Sequence, residues 1–248
     1  MRIYRKRVTF IFLLLIVIIP LHSQVTHSHG IVVSFLQFKD EFSLGMVFNG
    51  VRLEYRYGLH WKINDHEILF QPKISAGAAF NRGMTGAQIY FSPVNITWTM
   101  PFFENNEHSI NGGVNFIMDY NYQYTELNDG PIFWTSIFGF SPVIRYSYQW
   151  DNKRIYASLQ NSLFGFTSRR QDYDPYEWVF TWRDFVINPH KDLKFGSFND
   201  YNHTKVSLEF VPNIDKIHSL AYEFDYLGIF YGYRFDQINH NLLWRMSL

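Results

Sequence analysis

Cysteine is absent from the 248 residues. Its absence excludes disulfides, thiolate metal sites and a cysteine nucleophile, together with lipid anchoring through a processed cysteine. Beyond Pro20 no apolar run approaches the roughly 20 residues that a membrane-spanning helix needs. An excess of one charge is lacking too: Lys+Arg and Asp+Glu number 22 each, so the chain has no basic face of the kind a nucleic-acid partner leaves. Gly-rich phosphate loops and His-Glu-x-x-His helices are also missing. No cofactor and no metal is expected, and His27-Ser28-His29 is weak support for metal capture.

The N-terminus is present in force. Arg2, Arg5, Lys6 and Arg7 precede an apolar run from Val8 to Pro20, followed by Leu21-His22-Ser23. This is the three-part pattern of a secretory signal peptide. Its thirteen-residue apolar run would rise only about 20 Å as a helix, too little to span a bilayer. Residues 1–23 are therefore expected to be a signal peptide, and 24–248 a single exported domain. The leader holds four of the 22 basic residues and no acid, leaving 18 basic against 22 acidic residues.

Aromatics make up 20% of the chain, with 25 Phe, 17 Tyr and 7 Trp. They fall on a period of two. Val51, Leu53, Tyr55, Tyr57, Leu59, Trp61 and Ile63 alternate with Arg52, Glu54, Arg56, Gly58, His60, Lys62 and Asn64. Ile68–Asn81, Ile110–Thr125, Phe133–Trp150, Thr204–Pro212, His218–Tyr226 and Asn241–Leu248 repeat the rhythm. Runs of 14–18 residues exceed the roughly 5–6 of an average strand. They suit membrane strands, which need about 9–11 residues to cross the apolar layer. Tyr120, Tyr122, Tyr124, Phe133, Trp134, Tyr146, Tyr148 and Trp150 cluster at run ends, where interfacial girdles belong.

The fold expected is all-β, an antiparallel transmembrane β-barrel. Ten strands are predicted at roughly 32–48, 51–64, 66–81, 87–103, 108–125, 133–150, 154–168, 203–212, 218–233 and 240–248. Asn64–His66, Glu104–His108, Trp150–Lys153 and Asn213–His218 read as short periplasmic turns; Asn49-Gly50, Arg82–Gly86, Glu126–Pro131, Arg169–Asn202 and Arg234–Asn239 lie at the opposite end. Arg169–Asn202 is expected to be one long extracellular loop. Two further strands inside it would make twelve.

The run Asn241–Leu248, with Leu242, Trp244, Met246 and Leu248 in alternation, resembles the closing strand of bacterial outer-membrane proteins. That resemblance implies recognition by the barrel assembly machinery, residence in the outer membrane, and contact with its lipids. It implies no particular activity.

Two sets of residues are candidates for function. With the apolar face toward lipid, Arg52, Glu54, Arg56, His60, Lys62, Lys73, Asp119, Arg145, Lys205, Glu209, Glu223, Asp225 and Arg245 point inward. A ten-stranded barrel is only slightly wider than one filled by side chains, and unpaired buried charges are costly. A paired network filling the lumen is expected; a narrow polar pathway is the alternative. In the long loop, Asp172, Tyr173, Asp174, Tyr176, Trp178, Trp182, Arg183, Asp184 and His190 could bind a surface ligand or protein, or cap the mouth. His60, His66, His108, His203, His218 and His240 are expected on inner faces or at strand ends.

For catalysis, His108, Ser109 and Asn111 are residue types that barrel hydrolases use, but alternation sends His108 and Ser109 to opposite faces. Asp172, Asp174, Asp184 and His190 could form an acid–base group. The expected function is a non-catalytic barrel acting in surface binding or membrane integrity. A lipid- or peptide-acting barrel enzyme and a narrow solute channel stay open as alternatives.

Overall fold

The computed structural model describes residues 24–126, 133–169, 187–214 and 218–248. Thirteen strands form one sheet: β1 (Gln24–Asp40), β2 (Met46–Ile63), β3 (His66–Phe70), β4 (Lys73–Asn81), β5 (Met84–Glu104), β6 (His108–Thr125), β7 (Phe133–Trp150), β8 (Lys153–Asn161), β9 (Phe164–Arg169), β10 (Lys194–Ser197), β11 (Tyr201–Val211), β12 (His218–Ile229) and β13 (Phe235–Ser247). All pairings are antiparallel, and the β7–β8 pairing closes the path into a barrel. Three staves are broken. β3 and β4 are one stave, as are β8 and β9. β10 and β11 together pair along that β8/β9 stave, so the barrel has ten staves.

The breaks have local causes. Pro72 separates β3 from β4, yet Gln71 N–H donates to the Asn95 carbonyl at 2.8 Å and Tyr57 N–H to the Pro72 carbonyl at 3.1 Å, which keeps the wall bonded. β5 carries register shifts between Phe91 and Val94 and between Pro101 and Phe103. Its two prolines sit at these irregularities, where a missing N–H costs no ladder bond.

The first stave differs from its predicted position. β1 starts at Gln24 rather than 32, and the chain turns at residues 41–45 rather than at Asn49-Gly50. Leu44 (φ 54°) and Gly45 (φ 66°) make that turn. Gly50 lies inside β2 opposite Ala79, where an added Cβ would stand 1.9 Å from the Ala78 carbonyl oxygen. The glycine that reads as a hairpin signal is there for close approach of two strands. The long loop is corrected at its C-terminal end, because Lys194–Ser197 is wall.

The alternation turns the usual core inside out. Leu53, Ile74, Leu220 and Leu242 are exposed on the outer surface, while Arg52, Glu54, Arg56, Asp119 and Asn241 are buried within. Such an apolar exterior requires lipid, and a closed barrel leaves no edge unpaired in it. β13 zips against β1 from Asp40–Phe235 down to Ser28–Ser247, and Leu248 exchanges two backbone hydrogen bonds with His27. Tight turns such as Asn64-Asp65 and Asp151-Asn152 share one end of the barrel with both described chain ends; short turns mark the periplasmic side.

Candidate functional site

β1 serves as a ruler through the lumen. Its inward residues Phe38, Ser34, Gly30 and Thr26 lie opposite Phe48, Arg52, Arg56 and His60 of β2. These pairs mark three layers, from the outer end to the inner.

The outer layer is apolar. Leu36, Phe38, Phe48, Ile117, Ile137, Tyr201, Leu227, Ile229 and Phe235 form one buried cluster inside the barrel. Phe38 and Phe48 stack with centroids 5.2 Å apart. Tyr201 lies along the inner wall over β9 and β7, which present glycine to it: a Cβ at Gly165 would lie 3.1 Å from its ring and one at Gly139 2.8 Å from its hydroxyl. Tyr231, beyond the end of β12, closes in from above, hydrogen-bonded to the Thr167 hydroxyl at 2.6 Å with Lys194 Nζ 4.9 Å from its ring centroid. Burial pushes the Tyr231 phenol above its ordinary pKa. Arg169 pairs with Asp40 at this level. This seal was not expected from the sequence. Its signal is in β1, where Ile31-Val32-Val33 and Phe35-Leu36 put apolar side chains on both faces.

Below it lies the charge network. Arg52, Arg56, Lys73 and Lys205 meet Glu54, Asp119, Glu223 and Asp225, equal numbers of each sign. Arg56 donates to Glu223 at 2.8 and 3.0 Å and also to Glu54. Arg52 donates to Gln88 (3.3 Å), which continues to Gln237 (2.8 Å). His203 Nε2 bonds Asp225 at 2.9 Å. Lys73 Nζ lies 4.9 Å from the Tyr90 ring centroid. Both Asp119 oxygens lack a hydrogen bond in good geometry but face Lys73, Lys205 and His203. Buried Ser34, Asn121, Gln123, Ser141 and Asn241 also each have an unsatisfied polar atom; in folded proteins ordered water serves such groups.

The inner layer is a vestibule containing His60, Glu67, Arg145, Glu209 and Arg245. Arg245 donates to Glu209 at 2.8 and 3.0 Å. Of the charges assigned inward by alternation, Arg52, Glu54, Arg56, Lys73, Asp119, Lys205, Glu223 and Asp225 lie in the network and His60, Arg145, Glu209 and Arg245 in the vestibule, with Lys62 exposed at its rim.

The histidines lie on inner faces or at strand ends as expected, with His66, His108 and His218 opening β3, β6 and β12; His240, inside β13 and facing outward, is the exception. His60 and His203 face inward; His66, His108, His218 and His240 face outward, as do His27 and His29. Imidazoles facing lipid need partners. Tyrosine hydroxyls supply four, each at 2.7 Å: Tyr57 to His27, Tyr55 to His29, Tyr146 to His108 and Tyr222 to His240. His27 and His29 are therefore engaged separately rather than as a metal pair. His66 and His218 stack on Trp98 and Trp244.

The hydrolase residue types are dispersed as well. Ser109 bonds Ser147 while His108 bonds Tyr146. Ser162, His203 and Asp225 do meet, but Ser162 Oγ accepts the backbone N–H of His203 at 2.6 Å, and all three are buried beneath the seal.

Of the predicted loop residues, Asp172, Tyr173, Asp174, Tyr176, Trp178, Trp182, Arg183 and Asp184 lie outside the described residues. His190 is described, and it is not over the mouth. Pro189–Lys191 crosses the outer surface of the wall. The Pro189 and Lys191 carbonyls accept from Ser136 and Ser168, and His190 meets Tyr120 at 3.3 Å. The outer girdle there, Tyr120, Tyr122 and Trp134, is buried. A chain lacking residues 172–186 is expected to fold and insert normally. Extending the deletion through Asp192 removes both serine bonds and costs about 1–3 kcal/mol, read as a lower urea midpoint in lipid vesicles. Equal midpoints would show that the strap contributes nothing to the wall.

No protein-family profile matches the chain, and no curated relative matches it. Among solved structures it is similar to Neisserial surface protein A (9% identity, covering 89% of this chain and 96% of that one, TM-score 0.36). It is also similar to the translocator domain of the autotransporter NalP from Neisseria meningitidis (7%, 90% and 88%, TM-score 0.44). A third is Ail, the attachment invasion locus protein of Yersinia pestis (11%, 90% and 99%, TM-score 0.35). The wall geometry above is that of an outer-membrane β-barrel: apolar without, polar within, and closed.

Proposed function

We propose that this outer-membrane barrel is a non-catalytic, non-conducting scaffold that acts through surface binding at its outer rim. One observation carries the reading: the lumen is crossed at its outer end by the apolar layer around Phe38, Phe48, Tyr201 and Phe235, all fully buried. A constriction lined by such side chains excludes water and therefore ions. The paired charges beneath it support the same reading, because Arg56 and Arg245 are committed to carboxylates and are not free to pass a solute along.

The chain purified and inserted into a planar bilayer is expected to be electrically silent. Steady single-channel conductance from the unaltered chain would overturn the scaffold reading and establish the narrow channel. If the loop is the binding element, the 172–186 deletion keeps the barrel but loses capture of its surface partner.

A further inference from the structure

The inner end of the barrel holds a cavity of about 310 Å³, adjoined by one of about 210 Å³ that shares His60, Arg145 and Tyr156 with it. The seal closes the far end of the lumen, so the periplasmic mouth is the route in and out. Two arginines in this cavity are treated differently from those above. The Arg145 and Arg154 guanidiniums each lie 5.7 Å from the centroid of the Tyr156 ring. Among the described residues Arg154 donates to neutral acceptors, Gln149 Oε1 at 3.1 Å and Tyr156 OH at 2.9 Å. Among the described ion pairs Arg145 has one carboxylate, Glu67, at 3.7 Å, and Glu67 is shared with His60 at 3.6 Å. By contrast Arg56 and Arg245 hold their carboxylates at 2.8 Å. A guanidinium carries five donors suited to bidentate carboxylate binding, and here Arg145 has one loose carboxylate, which His60 also uses, while Arg154 has neutral acceptors. At the cavity's mouth three exposed carboxylates, Asp65, Glu104 and Glu107, outnumber one exposed ammonium, Lys62. Those carboxylates repel a simple anion and attract an ammonium group.

We propose that this vestibule binds a small zwitterion, an amino acid or short peptide, with its carboxylate on Arg145 and Arg154 and its ammonium toward Glu104 and Glu107. The site stands apart from any outer-surface partner, and its ligand need not cross the seal.

The test is calorimetric titration of the full detergent-folded chain with alanyl-alanine, its C-terminal amide and its N-acetyl derivative. Saturable binding of the dipeptide is expected, with affinity at least roughly tenfold lower for either blocked form, as loss of a charge-assisted hydrogen bond implies. Arg154→Met and Arg145→Met should each reduce dipeptide affinity by a similar factor while the barrel keeps its folded gel migration. Absence of saturable binding overturns the proposal, as does equal binding of the amide. Equal binding of the N-acetyl form overturns the zwitterion in favour of a plain anion site. The ligand series requires no variant, so it decides even where a substitution impairs folding. Bilayer conductance is read separately, so failure here leaves the scaffold reading standing, and the reverse.

Discussion

Replacing Phe38 and Phe48 together by alanine opens the barrel to ions. The two rings face each other across β1 and β2, are fully buried, and stack at the outer end of the lumen. Truncating a buried phenylalanine costs about 3–5 kcal/mol, so the double variant is markedly less stable. Its larger effect is on the lumen. The charge layer below carries buried polar atoms without a hydrogen bond, including Asn121 Oδ1 and Asn241 Oδ1, and water is the partner such groups take. With the seal gone, that water joins the outer solvent. Planar bilayers should then show steady conductance from the double variant and none from the parent. A folded double variant that stays silent would show that the charge layer, not the seal, is the barrier.

Arg56→Met is expected to produce the largest loss of stability among the lumen charges. Its guanidinium is shared between Glu223 and Glu54, and its side chain is only 5% exposed. Removing it leaves two carboxylates facing each other with their main partner gone. Breaking a buried pair from one side costs about 3–5 kcal/mol. Adding Glu223→Gln to Arg56→Met removes one orphaned charge and should recover part of that loss. Urea unfolding of the parent, both single variants and the double in vesicles measures the coupling. A double variant no more stable than Arg56→Met alone would sink the account of Glu223 as the partner that matters.

Much of the wall is legible in the sequence because a strand's side-chain period is two and purely local. Arg52, Glu54 and Arg56 alternate with Val51, Leu53 and Tyr55, and a single turn of reasoning sends one set inward. Where both faces are apolar, as in Ile31–Phe38, alternation loses its contrast. The seal was missed for that reason, while the start of the first stave slipped because Thr26-His27-Ser28-His29 is polar on both faces. Asn49-Gly50 misled because glycine answers two different needs, a positive φ and a close approach, and only the facing Ala78 and Ala79 distinguish them. His240 escaped because its strand begins at Phe235, five residues earlier than alternation placed it, so it lies mid-strand facing outward. The tyrosine partners of the outward histidines lie on neighbouring strands, up to 38 residues away in the case of His108 and Tyr146.

The sequence by itself determined the class of fold, which face of most strands meets lipid, and that charges of both signs would share the interior; it left ten staves and twelve both open. Each of these follows from local periodicity and from the cost of placing charge in hydrocarbon. Tertiary structure alone decided the register and the closure. From these come the pairing of Arg56 with Glu223, 167 residues apart, and the apolar layer assembled from strands spread along the whole chain. They also leave Arg145 and Arg154 beside one tyrosine with little to neutralise them. Alternation says which way a side chain points, but its partner is set by how far each strand slides past the next, and that is settled only when the last strand bonds the first.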